Sequence, residues 1–363
     1  TWPTSRALTI GEKLWIRTHH PYFRITEIKV KPDILVHLGM PKTGTSVLQN
    51  FLVKLTRDNA DGPLIYPVHG RGRRVGHHDL ATAIRLAEPE TVAGLTSPLL
   101  EEVAQRRSQS VPGSVAMISS EEFTGLCSVR ARGKLDTFLD ALAGAGRVHA
   151  FCVVWEGSSF LQSMYLQSAR FGNHKTDFET YCRTRRAWFR DIFRGLVDLQ
   201  RGRGDAFEVV IQTKGFDILT HVGGLLNFSP EQIAIIKPSL PRTEMRSLKE
   251  QVALTFIDHL SEVLGYPLMR QRLVQLFNAQ SVFEDDLNRY SLYRPGQQAE
   301  IIDAIRASAI DTGFIAYVDA FADAQPSEAP YVELRFDLLD EADIATVSEA
   351  YQSTYPNADT PSA

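Results

Sequence analysis

Ile34-Leu35-Val36-His37-Leu38, followed without a break by Gly39-Met40-Pro41-Lys42-Thr43-Gly44-Thr45-Ser46, is the stretch on which the fold turns. Its first five residues read as a short buried strand. A glycine- and proline-containing turn follows. Beyond it Val47, Leu48, Phe51, Leu52 and Leu55 recur at spacings of three and four, which predicts a helix with one apolar face. Strand, glycine turn and helix in that order present free backbone N–H groups and the positive end of a helix dipole to an anion. A phosphate or sulfate site is therefore expected at Gly39–Ser46. The plainer reading of the same residues is a strand-to-helix turn in which Thr43 or Thr45 caps the helix.

Outward from that stretch, short apolar runs ending in polar turns recur at Val115–Ile118, Ala150–Val154 and Phe207–Ile211. Helical patterns lie between them, at 98–109, 134–143, 158–170 and 178–199. That alternation predicts βαβ units, hence an α/β protein in three layers around a central parallel sheet. After about residue 243 the pattern is mostly helical. The expected organisation is an N-terminal extension over 1–32, an α/β core over 33–240 and a helical C-terminal extension over 241–363 packed on the core. Asn288–Gln298 and Ala324–Tyr331 read as loops, and Ser353–Ala363 as a frayed tail.

Of the 363 residues 44% are hydrophobic and 23% charged, ordinary for a globular chain with a sizeable core. The net charge of −4 supplies no overall basic field, which argues against general nucleic-acid binding. Cys127, Cys152 and Cys182 are far apart and lack the paired spacing of a zinc site, so no metal is expected. No run approaches the roughly 20 apolar residues of a membrane span, and TWPTSRALTIGEKLW does not form a secretory signal. A cytoplasmic, soluble protein is the expectation.

Against the nucleoside-triphosphatase pattern GxxxxGK[ST], Gly39, Gly44 and Ser46 match, yet Thr45 stands where the lysine should be, and the lysine is at Lys42. A triphosphate site uses that helix-start lysine for the β and γ phosphates, so ATP hydrolysis and kinase chemistry are disfavoured. The string PKTGTS after an apolar strand, with Leu48 and Gln49 beginning the helix, resembles the 5′-phosphosulfate loop of the sulfotransferases, especially bacterial carbohydrate-type members. The resemblance implies an enzyme with a P-loop-like fold, 3′-phosphoadenosine-5′-phosphosulfate as donor, 3′,5′-ADP as product, and in-line sulfuryl transfer without a metal. It implies that Lys42 contacts the bridging oxygen of the donor, and that Pro41, Thr43, Gly44, Thr45 and Ser46 form the loop around its 5′ oxygens. The chemistry agrees, since charge develops on the leaving oxygen and is stabilised by preorganised N–H groups and an ammonium.

The family's second signature is an arginine at a strand end and a serine on the helix that follows, both holding the 3′ phosphate. SSFLQSMYLQ, Ser158–Gln167, resembles that helix and makes Ser163 the matching serine. The arginine's place is taken by Trp155, with Glu156 beside it. A carboxylate repels a dianionic phosphate, and tryptophan does not replace a bidentate guanidinium. Three explanations stand open: another arginine (Arg130, Arg132, Arg170 or the Arg71, Arg73, Arg74 cluster) serves instead, the donor lacks the 3′ phosphate, or catalysis is impaired. As architecture the resemblance covers residues 33–240, with specific motif support at 39–49 and more weakly at 158–167.

The acceptor hydroxyl must lose a proton as the sulfuryl group arrives. Ligands of an open parallel sheet gather at the carboxyl ends of its strands, which favours Ser119, Ser120, Glu121 and Glu122 after Val115–Ile118. Glu121 is the first choice of base; members of the family use glutamate or histidine. His77 and His78, in GRGRRVGHHDL, form the competing site, with His78 taken as catalytic candidate. His37 lies within the first strand and reads as a structural histidine. Tyr165, Tyr181, Trp188 and Phe189 either line a sugar site or, at their helical spacing, belong to a core. The family suggests a small-molecule or glycan acceptor, a carbohydrate or glycolipid hydroxyl, and a homodimer is compatible. Two rival readings are a non-catalytic binding protein on the same fold and a P-loop nucleotide hydrolase or kinase using Glu121 or Glu122.

Overall fold

The computed structural model describes residues 31–59, 61–72, 75–170, 176–229, 231, 233–234, 248–279, 282–283 and 290–355. The expected extension over 1–32 and the tail beyond Tyr355 lie almost wholly outside them. Two compact units divide the chain. One takes the described residues of Thr1–Trp155, Arg190–Pro241 and Arg306–Asp323; the other takes those of Glu156–Phe189, Arg242–Ile305 and Ala324–Ala363. The segment 156–189 thus groups with later residues, whereas the sequence reading kept it in the core.

The first unit is built on an all-parallel five-stranded sheet, β1 (Ile34–His37), β2 (Leu64–Ile65), β3 (Val115–Ser119), β4 (Val148–Val154) and β5 (Phe207–Ile211), in the order β2-β3-β1-β4-β5. The α/β class with a parallel sheet is as the sequence predicts. Helix α1 (Thr45–Asp58) follows β1, α2 (His78–Leu86) and α3 (Val92–Gln109) precede β3, α4 (Arg132–Ala143) precedes β4, and α7 (Ile218–Leu226) follows β5. Between β4 and β5 run α5 (Gly157–Arg170) and α6 (Phe178–Arg203). A 3-10 helix, Glu121–Cys127, follows β3.

From β1 the chain crosses to one edge of the sheet, and from β3 it returns past β1 to the other. With right-handed crossovers the helices leaving β1 and its neighbours then lie on opposite faces. In keeping with this, α1 packs with α7, while α2, α3 and α4 pack on one another. The alternation of strand side chains serves both layers. Leu35, Met117, Phe151, Val153 and Val210 face Leu48, Phe51 and Leu52 of α1 and Ile218, Leu219 and Val222 of α7. Ile34, Val36, Ala116, Ile118 and Cys152 are equally buried, as are Leu135, Phe138, Leu139 and Leu142 of α4. Each of the larger aliphatic and aromatic side chains stabilises the fold by about 1.5–3 kcal/mol at the upper bound; β1 is buried throughout, as is β3, so the loop β1 carries starts from a fixed point.

In the second unit α5 and the early turns of α6 share an aromatic cluster. Phe160 stacks on Trp188 with centroids 5.6 Å apart, and Phe178 meets Tyr165 at 5.0 Å and Tyr293 at 4.8 Å. Of the residues the sequence offered to a sugar site, Phe189 and Tyr181 are buried, so those aromatics serve a core. Helices α8 (Leu248–Thr255), α9 (Ile257–Leu264), α10 (Arg270–Ala279) and α13 (Glu341–Thr354) complete the unit, α13 opening with a reciprocal cap between Asp340 and Asp343. Helix α11 (Gln297–Thr312) starts inside the expected loop 288–298, and α12 (Ile315–Ala320) follows it; Ala324–Tyr331 is a loop as expected.

Candidate functional site

Past the end of β1 the backbone keeps pairing with β4, Leu38 N donating to Phe151 O at 2.8 Å and Met40 N to Val153 O at 3.2 Å. The chain then turns sharply. Lys42 (φ 68) and Gly44 (φ 85) both adopt the left-handed region, which a lysine enters only at a cost of about 1–2 kcal/mol. A Cβ on Gly44 would also stand 3.0 Å from Ile218 Cγ2, so the position suits glycine twice over. The loop is tied to itself by Thr43 Oγ1, which donates to Met40 O at 2.7 Å, with Thr45 Oγ1 aimed at the same carbonyl at 3.5 Å. The capping role offered to these threonines is thereby overturned, because their hydroxyls face inward. What Thr43 and Thr45 can give an anion is backbone N–H; exposed Ser46 can add its hydroxyl, and Lys42 is half-buried beside them.

Helix α1 begins with no side-chain cap and no acidic residue in its first turn, leaving the first-turn N–H groups without intrahelical acceptors. The other helices entered directly from strands of the sheet are closed by their own side chains. Ser120 accepts from Glu122 N at 3.1 Å at the start of the 3-10 helix, and Asp217 accepts from Leu219 N at 3.4 Å and Thr220 Oγ1 at 2.8 Å at α7. Glu156 accepts from Ser158 N, Ser158 Oγ and Ser159 N, each at 2.8 Å, at α5. Among these, α1 alone is left open to an external anion.

Beneath the loop lies a buried polar hub around Ser119. Its Oγ is 3.0 Å from His37 Nδ1, Gln49 Nε2 reaches its O and Oγ at 3.5 Å, its N donates to His77 Nδ1 at 3.2 Å, and its O accepts from His77 N at 2.8 Å. His37, set aside as structural, sits directly under Gly39, where an added Cβ would meet His37 Nε2 at 2.1 Å. Burial lowers the His37 pKa to about 3, helped by nearby His221. Burial likewise lowers His77 to about 3, with the Arg71 charge acting in the same direction. Both rings are neutral at pH 7, and neither Nε2 has a hydrogen-bond partner among the described residues. Ser119, Gln49 and His37 act as a group only once α1, β1 and β3 are packed, and no local signal marks that grouping.

Glu121 opens the 3-10 helix and is half-buried. Buried His78 opens α2, with Nδ1 3.0 Å from Ser120 Oγ. His78 is therefore docked on the residue that precedes Glu121, at the carboxyl end of β3, whereas the sequence reads as two separate sites. Thr124, a residue the sequence reading missed, ties this helix to the anion loop, its Oγ1 lying 2.9 Å from Leu38 O and 2.6 Å from Gly39 O. Glu122 stands 3.9 Å from Arg85. Lys42 and the Glu121-bearing helix thus belong to one tethered assembly.

Ser163 is half-buried in α5, in the second unit. Glu156, read from sequence as hostile to a phosphate, has a structural use as the cap of that helix, and it occupies the N–H groups an anion would need there. Among the arginines offered as replacements, Arg132 pairs with Asp136 at 2.8 Å and donates to Gly195 O and Asp198 O, Arg130 is exposed, and Arg71 lies over Tyr66. Arg73, Arg74 and the Arg170 side chain lie outside the described residues. Among the described residues no three His, Cys, Asp or Glu side chains are grouped as a metal ion requires. No described helix is long and apolar enough to cross a membrane.

The arrangement defines a parallel α/β protein with an uncapped strand-to-helix loop at the carboxyl end of its central strand. Comparison with protein-family models, with curated proteins and with solved structures gives no match.

Proposed function

We infer that the chain is a sulfotransferase that takes a sulfuryl group from 3′-phosphoadenosine-5′-phosphosulfate and places it on an acceptor hydroxyl, carbohydrate or glycolipid in class. The observation that carries this reading is the uncapped start of α1 behind Lys42 and Gly44, both in the left-handed region, with Thr45 where a triphosphate site keeps lysine. When bound, the donor supplies an activated sulfuryl group and a phosphate leaving group. Backbone N–H groups of Thr43–Ser46 hold the 5′ oxygens, and the Lys42 ammonium neutralises charge gathering on the bridging oxygen. Glu121 receives the acceptor proton as the new oxygen–sulfur bond forms; His78, on the other side of Ser120, is the second candidate for that step.

Calorimetric binding of 3′,5′-ADP and 5′-AMP, with and without magnesium, on wild type and Lys42→Ala tests the donor site. Metal-independent binding of 3′,5′-ADP that Lys42→Ala weakens is expected. No binding of either nucleotide overturns the assignment. A non-catalytic nucleotide-binding role is the second reading, and Glu156 favours it. Its carboxylate fills the helix start where the resemblance looks for 3′-phosphate contacts, and equal affinity for 5′-AMP and 3′,5′-ADP would support it.

A further inference from the structure

Arg71 is a half-buried cation that makes no ion pair among the described residues. Its guanidinium carbon lies 4.8 Å from the centroid of the Tyr66 ring, and its Nε is buried without a hydrogen-bond partner. Glu102, whose charge favours the Arg71 cation, is committed elsewhere. Glu102 accepts from Val68 N at 2.8 and 3.1 Å and from His69 N at 2.7 Å, and pairs with Arg106 at 2.7 Å. Asp79 lies against the backbone of Gly72, where an added Cβ would meet its Oδ2 at 1.8 Å. Among the described residues no carboxylate stands within ion-pair distance of Arg71. A guanidinium drawn partly out of water and left unpaired is costly, and its fork matches an oxyanion bidentately.

The segment holding Arg71 is fixed from several sides. Arg71 N donates to Val68 O at 3.1 Å, Leu80 N to Gly70 O at 3.0 Å, and Tyr66 Oη to Val75 O at 2.8 Å. Tyr66 follows β2 directly, and His77 packs edge-on against it at 5.0 Å while bonding Ser119 at the end of β3. Along the carboxyl edge of the sheet Arg71 therefore belongs to β2, Glu121 and His78 to β3, and the anion loop to β1. With neighbouring strands about 4.8 Å apart, β2 and β1 are separated by roughly 10 Å, about the width of one or two sugar rings.

We propose that Arg71 is an acceptor-binding residue, and that the acceptor carries an oxyanion, a carboxylate or a sulfate or phosphate ester, within a sugar ring or two of the hydroxyl that is modified. The assignment of this edge to an acceptor rests on the sulfotransferase reading. The anion site rests on the surroundings of Arg71 alone.

The test is calorimetry at fixed ionic strength with methyl β-glucuronide, methyl β-glucoside 6-sulfate and neutral methyl β-glucoside, on wild type, Arg71→Gln and Arg71→Lys, with 3′,5′-ADP titrated separately into each. Wild type should bind at least one charged glycoside about tenfold more tightly than the neutral one, equivalent to about 1.4 kcal/mol. Arg71→Gln should erase that preference and Arg71→Lys should keep part of it; a loss of 3′,5′-ADP affinity in Arg71→Gln would make Arg71 the arginine of the 3′ phosphate and overturn the acceptor assignment. Preference for the glucuronide alone assigns a carboxylate; preference for the sulfated glycoside alone assigns an ester. Equal affinities for charged and neutral glycosides in wild type overturn the proposal without needing any variant to fold. So does a preference that survives in Arg71→Gln. If the charged glycoside is preferred but 3′,5′-ADP does not bind, the Arg71 site stands and the donor reading falls.

Discussion

His37 and His77 make the first unit acid-labile by an amount that can be worked out. Each pKa is held at about 3 in the fold, against the usual 6.5, chiefly because burial disfavours the charged ring. A group depressed in this way contributes stability that is fully present above 6.5 and is lost as pH falls toward 3, because the unfolded chain takes up the proton first. Between pH 7 and pH 4 the loss is about 3 kcal/mol for each histidine, so about 6 kcal/mol for both, against a total stability of about 5–15 kcal/mol for a typical domain. Burial also lowers His221 and adds to the trend. The perturbation is His37→Asn, which keeps a polar atom near Ser119 Oγ and removes the titrating ring. Urea unfolding at steps from pH 6 to pH 4.5 should show wild type losing about 2 kcal/mol more than the variant over that range. Carboxylates titrate alike in both proteins and drop out of the difference. An identical pH slope in wild type and His37→Asn would refute the claim that His37 is buried neutral.

Three further outcomes follow from the same geometry. Gly44→Ala forces a side chain into φ 85 and against Ile218 Cγ2, and thermal unfolding should register a loss of about 1–3 kcal/mol. Thr124→Val removes the hydroxyl shared by Leu38 O and Gly39 O; it should cost about 1–3 kcal/mol in urea unfolding and weaken 3′,5′-ADP binding, with Thr124→Ser restoring both. Glu156→Ala removes the cap of α5 and should lower stability by about 0.5–2 kcal/mol. No loss of stability in Glu156→Ala would mean that its three bonds are not maintained in solution.

What could be read from sequence is what is locally encoded. β1 and β5 and the helix after Ser46 follow from apolar periodicity, and Gly39–Ser46 from turn chemistry that needs no distant partner. β2 escaped notice because Leu64–Ile65 is too short to show a period. The start of α2 was hidden by the preceding Arg and Gly run, which reads as loop until His78 docks on Ser120. α3 begins at Val92, earlier than expected, because Pro98 is accommodated inside it although proline has no N–H for the carbonyl four residues back. The Ser119 hub was invisible for another reason. Ser119 is marked by its place at a strand end and His37 by its place within a strand, but they are 82 residues apart, and nothing links them until β1 and β3 pair in register at that position.

The acid lability and the anion loop have a common origin. His37 can lie under the loop only if Gly39 has no side chain, and a ring in that place is shut off from water, which is what depresses its pKa. A charged ring there would face desolvation with no acid shown beside it among the described residues, next to a loop that carries first-turn N–H groups and Lys42. A neutral histidine avoids that repulsion while its Nδ1 keeps Ser119 in place, and Ser119 in turn positions Gln49 of α1 and His77 beside the candidate bases. Because the folded ring takes a proton only near pH 3 while the unfolded chain takes one near 6.5, acid should reach the loop through unfolding. Affinity for 3′,5′-ADP should therefore fall together with the unfolding transition in wild type, and in His37→Asn both should move to lower pH; a loss of affinity at a pH where wild type is still folded would refute this.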